Sequence, residues 1–265
     1  MPVETDPDRE EQEELSGQMS FLDHLEELRK RIIHSLIAVA VAFGVTWTFA
    51  DKIYNIVSGP IRRAVTTLNA SDFNLVFTNP TEPFNLELKL AAMAAIFLAA
   101  PFILGQVWLF ISPGLYRHER RYALPFILLS SVLFILGGLF GYFVAFPFAL
   151  QFLIEWGVKN MNLKAMISAS EYFDLFIMIE LGLGVIFEIP ALIFVLSRIG
   201  LVSGPFLLRN TRYAILISAI VAAVITPTTD IPNMLMMAVP MVALYLLGVV
   251  VAYIFGKKRT KEATD

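Results

Sequence analysis

In a chain this apolar the charged side chains are few enough to be read one at a time. Of 265 residues, 57% are hydrophobic and 16% charged, against roughly a quarter charged in an ordinary soluble domain. Beyond Asp174 near its edge, two acids, Glu180 and Glu188, fall well inside the apolar run from Tyr172 to Leu196. A carboxylate at membrane depth costs roughly 2.5 to 3.5 kcal/mol on insertion scales, so each needs a proton, a wet cavity or a hydrogen-bonding partner. Eight residues of separation set the two about 80° apart around a helix, so they need not share a face. Pro190 should loosen the helix beside Glu188. Two further acids, Glu27 and Glu119, sit in polar stretches that flank apolar runs. A carboxylate beside a bilayer can take a guanidinium through two parallel charge-assisted bonds, which suits recognition of a basic peptide better than permeation of a solute.

A plainer reading of the same charges stands beside that one. In the connector Ser112 to Tyr122, Arg117, Arg120 and Arg121 can simply hold the loop on one side of the membrane, with Glu119 a favourable charge in the first turn of the next helix. Before the first apolar run, Phe21, Leu25, Leu28 and Ile32 recur at helical spacing. His24, Glu26, Glu27, Arg29, Lys30 and Arg31 take the other face. On that reading Glu27 to Arg31 is a solvated i,i+4 pair worth a few tenths of a kcal/mol.

Several classes of function are excluded. With no cysteine there is neither a disulfide framework nor a thiolate metal site, and three scattered histidines have no metal-ligand spacing. No glycine-rich nucleotide loop follows a strand. No cofactor, no metal and no nucleic-acid partner is expected, because the charge asymmetry carries topology.

The elements that must position these acids are membrane spans. Residues 1–19 are acidic with almost nothing apolar and read as a flexible tail; residues 20–256 read as one six-helix membrane domain; residues 257–265 form a basic tail. An amphipathic helix from Ser20 is expected to lie on the membrane surface. Span one is Ile32 to Ala50, nineteen residues or about 28 Å of helix. Span two is Leu90 to Ile111, interrupted by Pro101. Span three lies within Tyr122 to Ile154, with Pro147 at its outer end and Gly137, Gly138 and Gly141 inviting close helix approach. Span four holds Glu180 and Glu188. Tyr213 to Ile225 is only thirteen residues, and Met234 to Phe255 is span six. If the short run crosses, fourteen of the twenty lysines and arginines fall on one side, so the positive-inside rule favours six spans with both termini cytoplasmic.

Taken together, His24-Leu25-Glu26-Glu27-Leu28-Arg29-Lys30-Arg31, Thr81-Glu82-Pro83-Phe84, Gln106 to Tyr116, His118-Glu119-Arg120-Arg121, Phe146-Pro147 and Phe187-Glu188-Ile189-Pro190 resemble the TatC family. That family is the six-span core of the twin-arginine translocase. The resemblance runs in order from about residue 20 to 255. It implies an all-α polytopic protein of the inner membrane, with a concave helix arrangement and no covalent catalysis. It implies recognition of twin-arginine signal peptides of folded cargo together with TatB, and recruitment of TatA under the proton-motive force in an oligomeric complex. Glu27 and Glu119 would pair with the two signal arginines, with Arg29, Phe110 and Arg121 supporting that surface. Glu188 would line the concave face, and Asp230 would mark the periplasmic turn between the last spans. Glu180 departs from the family pattern, which has an apolar residue there. The competing class is a proton- or ion-coupled small-solute transporter, in which Glu180 or Glu188 would carry the work and Glu27 and Glu119 would be dispensable.

Overall fold

The structure, a computed structural model, describes residues 21–67, 75–111, 123–157, 166–226 and 230–256. Its helices are α1 (Phe21–Trp47), α2 (Ala50–Val57), α3 (Gly59–Thr67), α4 (Glu82–Ile111), α5 (Ala123–Phe140), α6 (Phe146–Glu155), α7 (Ala169–Phe187), α8 (Ile189–Arg198), α9 (Gly204–Arg209), α10 (Thr211–Ile225) and α11 (Ile231–Phe255). A π-helical turn, Gly141–Ala145, joins α5 to α6. Among the described residues α4, α5 with α6, α7 with α8, and α11 are long and apolar enough to cross a membrane, and α1 with its bent continuation is a fifth; with the shorter apolar helix α10 this agrees with the six expected segments.

The expected surface helix and first span are a single helix. Nothing between Phe21 and Trp47 breaks it: there is no proline, and the Glu27–Arg31 pair lies along it. It ends where the Thr48 and Phe49 amides bond three residues back, to Val45 and Thr46 carbonyls. The chain then turns by 84° into the segment Ala50–Arg63. Thr46 Oγ1 donates across to the Ala91 carbonyl at 2.8 Å, locking α1 antiparallel to α4. Thr46→Val should cost about 0.6 to 1.7 kcal/mol, the range for interhelical hydrogen bonds in membranes, read as a lower melting temperature in detergent.

Span two begins earlier than the apolar run, at Glu82, because the Glu82 carboxylate accepts from the Thr78 amide and hydroxyl (2.8 and 3.0 Å) and organises the helix start. It also runs through Pro101 without a break; one missing amide is tolerated where apolar packing holds both flanks. Pro147 does not end span three. The π turn just before it widens the helix so that the Phe146 amide reaches the Gly141 carbonyl, and helix continues to Glu155. The loss of an i to i−4 bond at proline is absorbed there rather than ending the element.

Span four breaks where Pro190 predicts. Glu188 leaves the helix at φ −75°, ψ −7°, and α8 restarts with its proline in the first turn. At the far end of α8, Gly200 takes φ +81° and the Leu201 amide reaches back to the Leu196 carbonyl at 3.0 Å, a left-handed cap that only glycine adopts at low cost.

A line of aromatic contacts fixes which helix ends lie together. Trp108 of α4 packs on Phe126 of α5 at 4.7 Å between centroids, Phe126 on Phe194 of α8 at 6.5 Å, and Phe194 on Phe255 of α11 at 5.8 Å. Since His24 of α1 stacks on Phe110, the starts of α1 and α5 and the ends of α4, α8 and α11 share one end of the bundle. The opposite end carries α2 and the pairing of Val76 with Ser168, made by Val76 N–H to Ile167 O (3.1 Å) and Ala169 N–H to Val76 O (2.8 Å).

The core lies around α7, whose Tyr172, Phe173, Phe176, Ile179 and Leu183 are buried. Phe146 meets Tyr172 and Phe176 edge to face at 5.2 and 5.0 Å. α10 is short, fifteen residues or about 22 Å. Its last residue, Ile225, lies over Gly182 of α7, so the end of α10 is recessed along span four. Asp230 starts α11 by accepting from the Asn233 amide and side-chain Nδ2, both at 2.9 Å.

Candidate functional site

Glu27 sits one turn after His24 on α1, facing the end of α4. Arg31, one turn further on, donates from Nη2 to Glu27 Oε1 at 3.0 Å and from Nη1 to Gln106 Oε1 at 3.3 Å. The expected i,i+4 pair is therefore present, but it is not a solvated pair. Gln106 is buried at 8% exposure, and the Glu27 and Arg31 side chains retain 15% and 24% of theirs. The His24 ring stacks on Phe110 at 4.4 Å and 21°, which pins the first turns of α1 against α4. Two buried atoms of the cluster, Glu27 Oε2 and Arg31 Nε, have no hydrogen-bond partner among the described residues. Leaving such an atom unmade costs about 1 to 3 kcal/mol, more when charged, so the cluster has room for one more donor at Glu27.

The sequence alone assigns Gln106 no role. The usable signal was a carboxamide within the apolar run Leu90 to Ile111. Arg29 is exposed on α1 and lies outside these contacts. Glu119 and Arg121 lie outside the described residues.

At membrane depth the two acids of span four both lie against span three despite their eight-residue separation, Glu188 near Ser130 and Glu180 near Gly138 and Gly141. Glu188 is half-buried near Ser130 of α5, and neither Glu188 Oε1 nor the Ser130 hydroxyl has a hydrogen-bond partner in the described geometry. Glu180 is more enclosed, at 4% exposure. Its carboxyl fills the space left by two glycines of span three: a Cβ on Gly141 would stand 2.7 Å from Glu180 Oε1, and one on Gly138 3.3 Å from Oε2. The helix approach expected at Gly137, Gly138 and Gly141 is thus made to span four, with the unexpected acid seated in it. Asp230, the fifth acid, is a helix cap with its carboxylate committed to Asn233.

The family model described as "Sec-independent protein translocase protein (TatC)" matches residues 23–240. The chain is 50% identical over 254 residues to the Sec-independent protein translocase protein TatC of Koribacter versatilis strain Ellin345, covering 96% of this chain and 92% of that one. It is 32% identical over 241 residues to the TatC of Aquifex aeolicus strain VF5, covering 91% and 98%. A crystal structure of a twin arginine translocase receptor, TatC, superposes with a TM-score of 0.74 at 33% identity, over 86% of this chain and 97% of that one. With the family model spanning most of the chain and the fold matching that structure, this multi-pass membrane protein belongs to the TatC family of Sec-independent protein translocase subunits.

Proposed function

We propose that the chain is the signal-peptide receptor of a twin-arginine translocase in the inner membrane, with both termini cytoplasmic, and that it works without covalent catalysis. The observation that carries this reading is Glu27 Oε2, buried beside Arg31 and without a partner among the described residues, one turn from the His24 ring that stacks on Phe110. A guanidinium entering there meets a carboxylate already held in one orientation. Glu119 takes the second signal arginine, with Arg29, Phe110 and Arg121 shaping the surface and TatB completing it. TatA then joins in an oligomeric complex that moves folded cargo at the expense of the proton-motive force. Glu188 lines the concave face, and the Asp230 turn, recessed behind short α10, gives partner single-span helices a place to dock from the periplasmic side.

The test is site-specific photocrosslinking in membranes from positions beside Glu27 and Glu119 to a peptide carrying paired arginines, compared with the Lys-Lys version. An Arg-Arg adduct that falls by about tenfold or more with Lys-Lys is expected, since lysine is a compact point charge and cannot reproduce the guanidinium fork. Equal crosslinking of both peptides would remove the receptor assignment and leave the family and fold standing. Uptake of a small solute that depends on Glu188 but not on Glu27 would instead install the transporter reading.

A further inference from the structure

A groove of about 300 Å³ opens on the flank of the bundle between α2, α4 and α5, with Glu180 among its lining residues. Ile53, Ile56 and Val57 of α2 form one end of it, on the helix that leaves the axis of α1 by 84°, a turn that carries α2 out of line with the spans and toward the membrane boundary. Glu180 is eleven residues into span four from Ala169, about 16 Å along the helix. The groove therefore joins the boundary to the middle of the membrane. α2 presents Ile56, α4 presents Met93 and Phe97, α5 presents Gly138, and the π turn after it presents Tyr142. Among these the one titratable group is Tyr142, whose hydroxyl donates to the Ile56 carbonyl at 2.8 Å. Among the described residues no lysine, arginine or histidine lines the groove, so none of them sets a counter-charge against the acid there.

A carboxyl group at this depth without a cation must exchange protons or be hydrogen-bonded. Gly138 and Gly141 leave space for it, and Glu180 Oε1 has no partner among the described residues. At about 30 Å³ each, several waters fit between it and the boundary, with the Tyr142 hydroxyl as a polar waypoint. We propose that this groove is a proton-binding site open to one side of the membrane, in which Glu180 takes up a proton delivered by water from the α2 side. The step balances simply: hydronium in the groove gives its proton to the carboxylate and leaves as water. Glu188, near Ser130 and on the other side of the helix break, is a separate group. Nothing in the inference depends on the receptor reading, and its readout is spectroscopic.

The experiment uses the full chain in oriented proteoliposomes, followed by infrared difference spectroscopy of the protonated-carboxyl carbonyl band. Acidifying the α2 side should raise a band that Glu180→Gln removes and Glu188→Gln keeps; acidifying the opposite side should leave it unchanged. Exchange of that proton for deuterium should slow by about tenfold or more when the groove is filled by Ala94→Phe. Ile56→Trp at the exposed rim is the second variant, should the first fail to fold. A band insensitive to Glu180→Gln, one that follows the pH of the wrong side, or exchange unaffected by both filled-groove variants would overturn the proposal, the last by showing lipid chains rather than water in the groove.

Discussion

Glu27→Ala should weaken binding of a twin-arginine peptide to the membrane-embedded chain by about thirtyfold or more, while leaving the fold intact. The figure follows from truncating one partner of a largely buried, hydrogen-bonded charge pair, which costs about 2 to 5 kcal/mol, or more than a factor of about thirty. Direct removal of the acceptor is only part of it. Arg31 holds Glu27 Oε1 and is itself held by Gln106, so the carboxylate reaches the peptide in a single orientation, with Oε2 unpartnered among the described residues. Gln106→Leu keeps the acid but releases its clamp, and should cost less, about three- to tenfold, because the carboxylate must be reordered on binding. Arg31→Ala removes the clamp and an adjacent positive charge together. Its effect should fall between the other two and grow at high salt, where the benefit of losing a like charge near the incoming arginines is screened. Titration of a labelled peptide into nanodiscs at two ionic strengths distinguishes the three. Binding by Glu27→Ala within about twofold of the parent would mean that the acid is a structural partner of Arg31 and nothing more.

The crossing segments were legible from apolar run length and basic residues alone, and Glu188 with Pro190 announced the break in span four. Boundaries were not, and the reasons differ from element to element. Span two starts at Glu82 because a side-chain cap with Thr78 extends the helix beyond its apolar stretch. Span three passes Pro147 because a π turn absorbs the missing bond, and no composition rule anticipates that. The first helix was divided in two because polarity changes along it at Ile32, although nothing in its backbone does. At the site, the Glu27–Arg31 spacing was readable as an ordinary i,i+4 pair, whereas its burial depends on Gln106, 75 residues further along. Glu180 was visible as an anomaly. That it would be the more enclosed of the two acids, housed by Gly138 and Gly141, follows only from the docking of span three on span four.

That docking also sets the largest structural effect expected of a single residue. A Cβ on Gly137 would stand 2.5 Å from the Leu183 carbonyl oxygen and 2.9 Å from Gly184 Cα, so backbone meets backbone and no side-chain rotation can relieve the clash. Gly137→Ala must therefore push the two spans apart, at about 1 to 3 kcal/mol for overpacking. Gly137→Leu should cost more than about 4 kcal/mol, in the range reserved for core disruption. The control is Gly44→Ala in the last turn of α1, where nothing lies within 4 Å of the new methyl and helix propensity should give up to about 1 kcal/mol of gain. Thermal melting in detergent, followed by tryptophan fluorescence, should rank Gly44→Ala at or above the parent, Gly137→Ala below it and Gly137→Leu lowest or unfolded. The separation matters beyond stability. Gly138 and Gly141 ride on the same helix as Gly137, so moving span three away from span four also empties the seat of the Glu180 carboxyl, and a folded Gly137→Ala should show the Glu180 infrared band shifted and broadened. Equal melting of Gly137→Leu and Gly44→Ala would mean that spans three and four do not touch here, and the enclosure of Glu180 would fall with that contact.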